Sequence, residues 1–262
     1  MSLRICIAGV TGWVGKPLSR AVAEAGDMQL VAGVSRSHAG RRLKEVVDAD
    51  VDLTISRSVS EALTTPSDVL VDFTRADAVR ANVLTAISKG VHVVIGTSGL
   101  TDGDFVEIHE AAVANKVGVI AAGNFAMTAV LLQRFASEAA KYLSHWEIID
   151  YASDSKVDAP SGTARELASR LEVRQPEITV PLDETVGDRA ARGATLNGSQ
   201  VHSLRLPGFV IGVEAIFGAP DERLTIRHDA GSGTGPYIQG ALLAIRKVRE
   251  HVGLVRGLDK IM

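Results

Sequence analysis

One cysteine in 262 residues, Cys6, excludes an internal disulfide, and its place in an apolar run marks it as core. No run of about 18 consecutive apolar residues occurs, so no membrane-spanning helix is expected. Charge of one sign is scarce too. The 28 Lys and Arg against 31 Asp and Glu leave a net −3, with no basic footprint for nucleic acid. The chain opens into a strand-like run without a basic-then-apolar leader, and it contains no internal repeat, low-complexity tract or coiled-coil pattern. These absences point to a cytoplasmic globular protein. With 46% hydrophobic residues, the length suffices for one large domain or two medium ones with a sizeable core.

What is present begins with glycine. The apolar run at residues 4–8 leads straight into Gly9, Val10, Thr11, Gly12, Trp13, Val14 and Gly15. Pro17 follows in the first turn of a helix whose apolar positions are Val14, Leu18, Ala21, Val22 and Ala25. Strand, glycine turn and helix form the context of a dinucleotide-binding fingerprint, here spaced G-x-x-G-x-x-G. Glycines let the backbone turn tightly against a pyrophosphate that lies on the helix N-terminus. A second strand is expected at residues 28–34. It ends in Gly33, Val34, Ser35 and Arg36, without the acid that would bond an NAD ribose. Ser35 can donate to a 2′-phosphate and Arg36 can make a charge-assisted contact with it, so NADPH is the expected cofactor and NADH the alternative.

Strand-like runs at residues 51–55, 69–73, 91–95 and 117–121 continue the alternation with helical patterns, which argues a parallel, doubly wound sheet. Ligands of such sheets bind beyond the carboxyl ends of the strands. The loops there carry Phe73-Thr74-Arg75, then Gly96, Thr97, Ser98 and Gly99, then Ala122, Gly123, Asn124 and Phe125. A helix is expected at 126–143 and a strand at 146–150. After a polar stretch at 183–199, runs at 200–206, 209–217 and 223–228 are punctuated by Pro207-Gly208 and Pro220-Asp221, as in an antiparallel meander. A last helix is expected at 236–252. An open sheet in this half needs a cover, which oligomerisation would supply.

Between these halves lies Lys156, shortly before Pro160, Ser161, Gly162 and Thr163. Ser161 is a good N-cap for a helix with Ala164, Leu167, Ala168 and Leu171 at helical spacing. A helix N-terminus beside a lysine makes an anion pocket, suited to a carboxylate or phosphate. Asp150, Asp154 and Asp158 are spaced by four, but along a strand and loop rather than a helix, so no metal is expected.

The combination resembles the dihydrodipicolinate reductases. The matching parts are Gly9 to Gly15, Val71-Asp72-Phe73-Thr74, Gly96 to Gly99, Asn124-Phe125, Lys156 to Ala164 and Glu222 to His228. The resemblance implies a Rossmann-like dinucleotide-binding domain (1–125), an inserted mixed-sheet α+β domain for substrate and oligomerisation (126–229), and a C-terminal helix (230–262) that returns to the first. It implies a homotetramer, and a reductase of lysine biosynthesis that takes a small cyclic imine dicarboxylate. By position, Gly9 to Val14 would hold the pyrophosphate, and Ser35 and Arg36 the adenosine ribose end. Gly96, Thr97, Ser98 and Ala122 to Phe125 would bracket the nicotinamide. Lys156 would be the catalytic cation or acid, with Ser153, Ser161, Gly162 and Thr163 on the substrate. One departure stands out. Ala152 and Ser153 occupy the places of two histidines of the family pattern, and Ile211-Gly212-Val213 replaces a later Gly-Glu-His. Three functions therefore stay open: the family reaction, reduction of a different cyclic imine or carbonyl acid, and a catalytically silent NADPH-binding homologue.

Overall fold

The computed structural model describes residues 2–172 and 175–262. The first part folds as β1 (Leu3–Ala8), α1 (Gly15–Glu24), β2 (Met28–Val34), the single turn α2 (Val59–Ala62), β3 (Val69–Asp72), α3 (Ala76–Ser88), β4 (His92–Ile95), α4 (Asp102–Ala114) and β5 (Gly118–Ala121). Next come α5 (Met127–Ala139), β6 (His145–Ala152), α6 (Gly162–Leu171), β7 (Ala194–Leu196), β8 (Ser199–Arg205), β9 (Ile211–Ala219) and β10 (Glu222–Ala230). The last elements are α7 (Gly235–Lys247) and β11 (Gly253–Arg256). Two compact units result: residues up to 127 together with Thr234–Met262, and Thr128–Gly233. No helix among the described residues is long and apolar enough to cross a membrane.

The first unit is built on a parallel sheet ordered β11-β5-β4-β3-β1-β2. β3 and β5 are buried along their whole length, as parallel strands covered on both faces are. Alternation sends Cys6, Ala8, Leu70, Val93 and Val119 into one core with Val79 and Val83 of α3 and Ile108 of α4. Ile5, Ile7, Val71 and Val94 point to the opposite face, where α1 and α7 pack together. Local signals set the helix ends. Thr101 and Asp104 form a reciprocal capping box at the start of α4, and Gly90, at φ +73°, follows the end of α3. Because β1 lies between β2 and β3, the strand order reverses there, and a crevice opens beyond the carboxyl ends.

The second unit is a five-stranded mixed sheet ordered β10-β9-β6-β8-β7, parallel only at β6–β8. One face packs Trp146, Ile148, Val213, Ala215 and Phe217 against Leu132 and Ala136 of α5 and Leu167 and Leu171 of α6. The other face carries Tyr151, whose hydroxyl donates to Glu214 at 2.8 Å and whose ring lies under the Arg227 guanidinium.

Three expectations need correction. The run at 51–55 is not a strand; it makes only isolated bridges, Val34 with Ser56 and Arg42 with Thr54. Loop backbone satisfies it instead, since Gly40 N donates to Ile55 O and Ile55 N to Arg41 O. Nor do the last three strands of the second unit form a meander. β6 inserts between β8 and β9, leaving only β9–β10 as a hairpin. The link at 206–210 can reach roughly 16 Å when extended, enough to step across one intervening strand. The helix expected at 236–252 stops at Lys247, and a 3₁₀ turn (Val248–Glu250) leads into β11, which pairs with β5. Four residues with a leading glycine carry too little pattern to read as a strand.

That last junction is tight. A Cβ on Gly118 would lie 2.0 Å from the Val248 carbonyl oxygen, whereas one on Gly26 meets nothing within 4 Å. Gly118→Ala is expected to destabilise the first unit by about 1–3 kcal/mol through overpacking against backbone, with Gly26→Ala near neutral. Thermal and urea unfolding of both variants checks this, and equal stabilities would refute the close packing of β11.

Candidate functional site

In the first unit the glycine turn has the geometry of an anion cradle. Gly9 adopts φ +83°, and a Cβ there would fall 2.2 Å from the Phe73 carbonyl oxygen. A Cβ on Gly15 would fall 2.0 Å from that of Gly9. Gly12 N closes the turn onto Gly9 O at 2.8 Å. No side chain caps α1; Lys16 N donates to Gly12 O and Pro17 has no N–H, so Gly15 N is the one N–H at the helix start left for a ligand. Two cavities meet at this turn, both lined by Gly12, Phe73, Thr74 and Arg75. One of ≈ 650 Å³ runs past Thr11, Ser35 and Arg36; the other, of ≈ 380 Å³, runs past Trp13, Val14 and Gly96 to Ser98. Their arrangement fits an extended dinucleotide with its pyrophosphate at the turn.

At the larger cavity the Ser35 hydroxyl lies 2.8 Å from that of Thr11, and the Ser37 hydroxyl 2.9 Å from His38 Nδ1. Arg36 is exposed, with its guanidinium 3.5 Å from the Asp77 carboxylate, which also faces Arg75 at 3.6 Å. Arg57 lines the same space. Sequence reasoning missed Arg57 and Asp77 here, while Arg75 lies in a loop it expected at the ligand end. Arg57 follows a stretch expected to be a strand, and Asp77 opens a helix with nothing local to tie it to Arg36.

At the smaller cavity two loops hang on one buried carboxylate. Asp72 Oδ1 accepts from Thr74 N at 3.0 Å, Thr74 Oγ1 at 2.6 Å and Thr97 Oγ1 at 2.7 Å, while Asn82 donates to Oδ2 at 2.8 Å. The Thr97 hydroxyl is thus committed to Asp72. Gly96 is glycine because a Cβ there would run into the Phe73 ring at 2.0 Å. Two residues expected at the cofactor, Val10 and Phe125, use their side chains for packing. Val10 is fully buried beneath Gly33, and the Phe125 ring is buried against Phe73 with centroids 5.6 Å apart. Ala122 is buried as well, Gly123 is exposed, and Asn124 Oδ1 accepts from Ala126 N to start α5. Trp13 is largely exposed and meets Tyr237 edge to face.

The second unit holds the lysine segment beyond the end of β6. Lys156 Nζ lies 2.7 Å from Asp158 Oδ1, and its backbone N closes a turn onto Ser153 O. Ser153 Oγ is engaged with Ser155 and Asp154. Ser161 caps α6, its hydroxyl accepting from Ala164 N at 3.3 Å, so this side chain serves the helix. Gly162 is exposed with open space where a Cβ would stand, Thr163 is half-buried, and the first turn of α6 contains no acid. Free N–H groups at a helix start without acids suit an anion, while Lys156 is engaged by Asp158.

Beneath this segment Asp150, also fully buried, accepts from Ser161 N at 2.9 Å, Arg205 Nη2 at 2.8 Å and Ser203 Oγ at 3.1 Å. Burial pushes its carboxyl up, but the bonds from Ser161 and Arg205 outweigh that and hold it below the ordinary range. Sequence reasoning left Arg205 inside an expected strand. Only the register, which sets Arg205 beside Ala152 on the parallel neighbour, brings it here. Elsewhere in this unit His228 is buried and bonded to Thr128, with burial pushing its pKa down, and His145 bonds the Glu177 carbonyl oxygen. Asp150, Asp154 and Asp158 do not converge, and no cluster of three metal-ligating side chains occurs among the described residues.

Comparison with known proteins agrees with this geometry over the whole chain. Residues 3–125 match the family model "Dihydrodipicolinate reductase, N-terminus" and residues 128–262 the corresponding C-terminus model. The 4-hydroxy-tetrahydrodipicolinate reductase of Desulfitobacterium hafniense is 38% identical, covering 99% of this chain and 98% of that protein. Its counterpart from Moorella thermoacetica is 39% identical, over 100% and 98%. The dipicolinate-bound dihydrodipicolinate reductase from Paenisporosarcina sp. TG-14 superposes with a TM-score of 0.89 at 34% identity, covering both chains fully. An amine dehydrogenase from Mycobacterium smegmatis, with TM-score 0.69 and 14% identity, shares the fold alone.

The Asp150 network carries a pH signature. A carboxyl held below its unfolded value contributes stability above about pH 3.8, and that contribution is lost as pH falls through the native value. Asp150→Asn is therefore expected to lower the stability of the second unit most near about pH 5 and progressively less toward about pH 3. Urea titrations at both pH values decide; a stability difference that does not change with pH counts against it.

Proposed function

The chain belongs to the dihydrodipicolinate reductase family, and from that membership we propose an NADPH-dependent reductase of a cyclic imine carboxylate, working in lysine (diaminopimelate) biosynthesis. The observation that carries the reading is the presence, in one chain, of a glycine-turn crevice for a dinucleotide and of an acid-free helix start for a carboxylate, a few residues after a lysine that Asp158 holds. The dipicolinate bound to the Paenisporosarcina relative is a ring dicarboxylate, the kind of anion that such a helix start suits.

NADPH supplies the hydride when bound. The backbone from Gly9 to Val14 holds the pyrophosphate. Ser35 and Arg36 take the 2′-phosphate, and Arg57 and Arg75 add positive charge along the same cavity. The loops of Gly96 to Ser98 and of Ala122 to Asn124 flank the nicotinamide end, kept in place by Asp72 and by the buried Phe125. On the substrate side Lys156 and the N–H groups of Gly162 and Thr163 hold a carboxylate. For that, the lysine has to share or exchange its contact with Asp158. Reduction of a C=N bond leaves negative charge that a proton must quench. With Ala152 where the family pattern has an imidazole, Lys156 is the group assigned to that charge. Ala152 and Ser153 also favour a second reading, a substrate that is a different cyclic imine or carbonyl acid. The protein is cytoplasmic in this reading and assembles as a homotetramer through the sheet face that carries Tyr151 and Arg227.

Cofactor preference follows from Arg36. NADPH should bind more tightly than NADH, and Arg36→Ala should weaken NADPH by about 1.5–3 kcal/mol, the range of a charge-assisted hydrogen bond, with little change for NADH. Calorimetric titration of both cofactors reads this directly, and equal affinities in the wild type would rule out the assignment.

Lys156 is tested by turnover. Lys156→Ala should lower the rate of dihydrodipicolinate reduction by about 10²–10⁴ while leaving NADPH affinity intact, because the cofactor contacts lie in the other unit. Thr163→Ala should be milder, since its backbone N–H remains. Wild-type turnover by Lys156→Ala would reduce this lysine to a surface residue.

A further inference from the structure

Both arms of the proposed anion site hang from one buried carboxylate. Asp150 Oδ2 accepts from Ser161 N at 2.9 Å, which fixes the residue that caps α6. The same oxygen accepts from Arg205 Nη2 at 2.8 Å, and that nitrogen also donates to the Asp158 carbonyl oxygen at 2.6 Å. Asp158 in turn holds Lys156 Nζ at 2.7 Å. One line of contacts thus runs from the sheet through Arg205 and Asp158 to the lysine, and another from the sheet to the helix start. Nη1 of Arg205 is bonded to the Leu204 carbonyl oxygen, so the guanidinium is turned inward, toward backbone.

A purely stabilising role fits this pair poorly. Buried ion pairs are weak stabilisers because desolvation opposes their attraction, and apolar replacements of similar volume often serve as well. Here Asp150 Oδ1 and Arg205 Nε are buried with no partner, which makes the pair costlier still. What an apolar pair cannot do is accept from the Ser161 N–H and donate to the Asp158 carbonyl. Arg205, on β8, is also the register partner of Ala152 on β6, and its guanidinium turns to Asp150 and the Asp158 carbonyl.

We infer that Asp150 and Arg205 are positioning residues of this reductase, which fix the spacing between Lys156 and the start of α6 to match a substrate carboxylate. The inference rests on the anion-site reading above. It places Arg205 among the determinants of substrate affinity without contact to substrate, cofactor or the reacting atoms.

Arg205→Met and Arg205→Lys in the NADPH-bound protein test it by two independent measurements. Arg205→Met should speed amide hydrogen exchange across residues 153–161. It should also lower kcat/KM for dihydrodipicolinate ~10–100-fold, mainly through KM, with NADPH affinity unchanged. Arg205→Lys should recover part of both effects, because an ammonium keeps the charge and can still reach one of the two acceptors. Should Arg205→Met misfold, Asp150→Asn with Arg205→Lys provides the same comparison at nearly constant volume. Wild-type exchange across 153–161 together with wild-type KM in Arg205→Met would overturn the inference. If the unsubstituted protein fails to reduce dihydrodipicolinate, the substrate reading fails, and the exchange measurement still decides whether Arg205 tethers the lysine segment.

Discussion

A carboxylate taken out of water has to be met by donors, and Asp72 and Asp150 are both fully buried near the carboxyl ends of their strands. Asp72 collects Thr74, Thr97 and Asn82; Asp150 collects Ser161, Ser203 and Arg205. In each unit some of these donors, Thr74 and Thr97 in the first and Ser161 in the second, belong to the loops that the proposed chemistry uses. The need to satisfy a buried charge thereby becomes a constraint on loop position. That constraint is directional, which hydrophobic burial is not.

The two units use the constraint in different surroundings. In the first, the parallel sheet is covered on both faces and polar loops gather at the carboxyl ends of its strands. Glycines at 9, 15 and 96 let those loops approach one another and the Phe73 ring more closely than any side chain would permit. In the second, a mixed sheet buries one face against α5 and α6, and the turn from β6 to α6 carries a cation and open N–H groups to its rim. Cofactor binding asks for close backbone approach; carboxylate binding asks for charge at a fixed distance. The residue types in the two places follow that division.

By the resemblance read from the sequence, Ala152 and Ser153 stand where the family pattern would have imidazoles. Ala152 is fully buried, part of the floor of the unit. Lys156, Arg205 and the N–H groups of α6 are then the positive elements of that corner. Such a corner can hold and neutralise an anion. It moves protons less readily than an imidazole near neutral pH, which ties substrate choice closely to how Lys156 is held.

Much of this was legible in the sequence because the signals are local. Strand, glycine turn and helix announce the dinucleotide unit within a few turns of chain, and Ser161 with the Ala164, Leu167, Ala168, Leu171 spacing announces α6. Family membership was equally legible, since its motifs keep their order over the whole length. Register and long-range pairing were not. β11, with only four residues, β6 inserted between β8 and β9, and the failure of residues 51–55 to form a strand all depend on which backbone groups find partners far along the chain. The same holds for the site. From residue type alone, sequence proposed Lys156, Ser35 and Arg36. It placed Val10 and Phe125 at the cofactor where their side chains serve the core, and it gave no sign of Arg205, Asp77 or Arg57. A side chain's chemistry is written in its identity, but its partner is chosen by packing and strand register, and those exist only once the chain has folded.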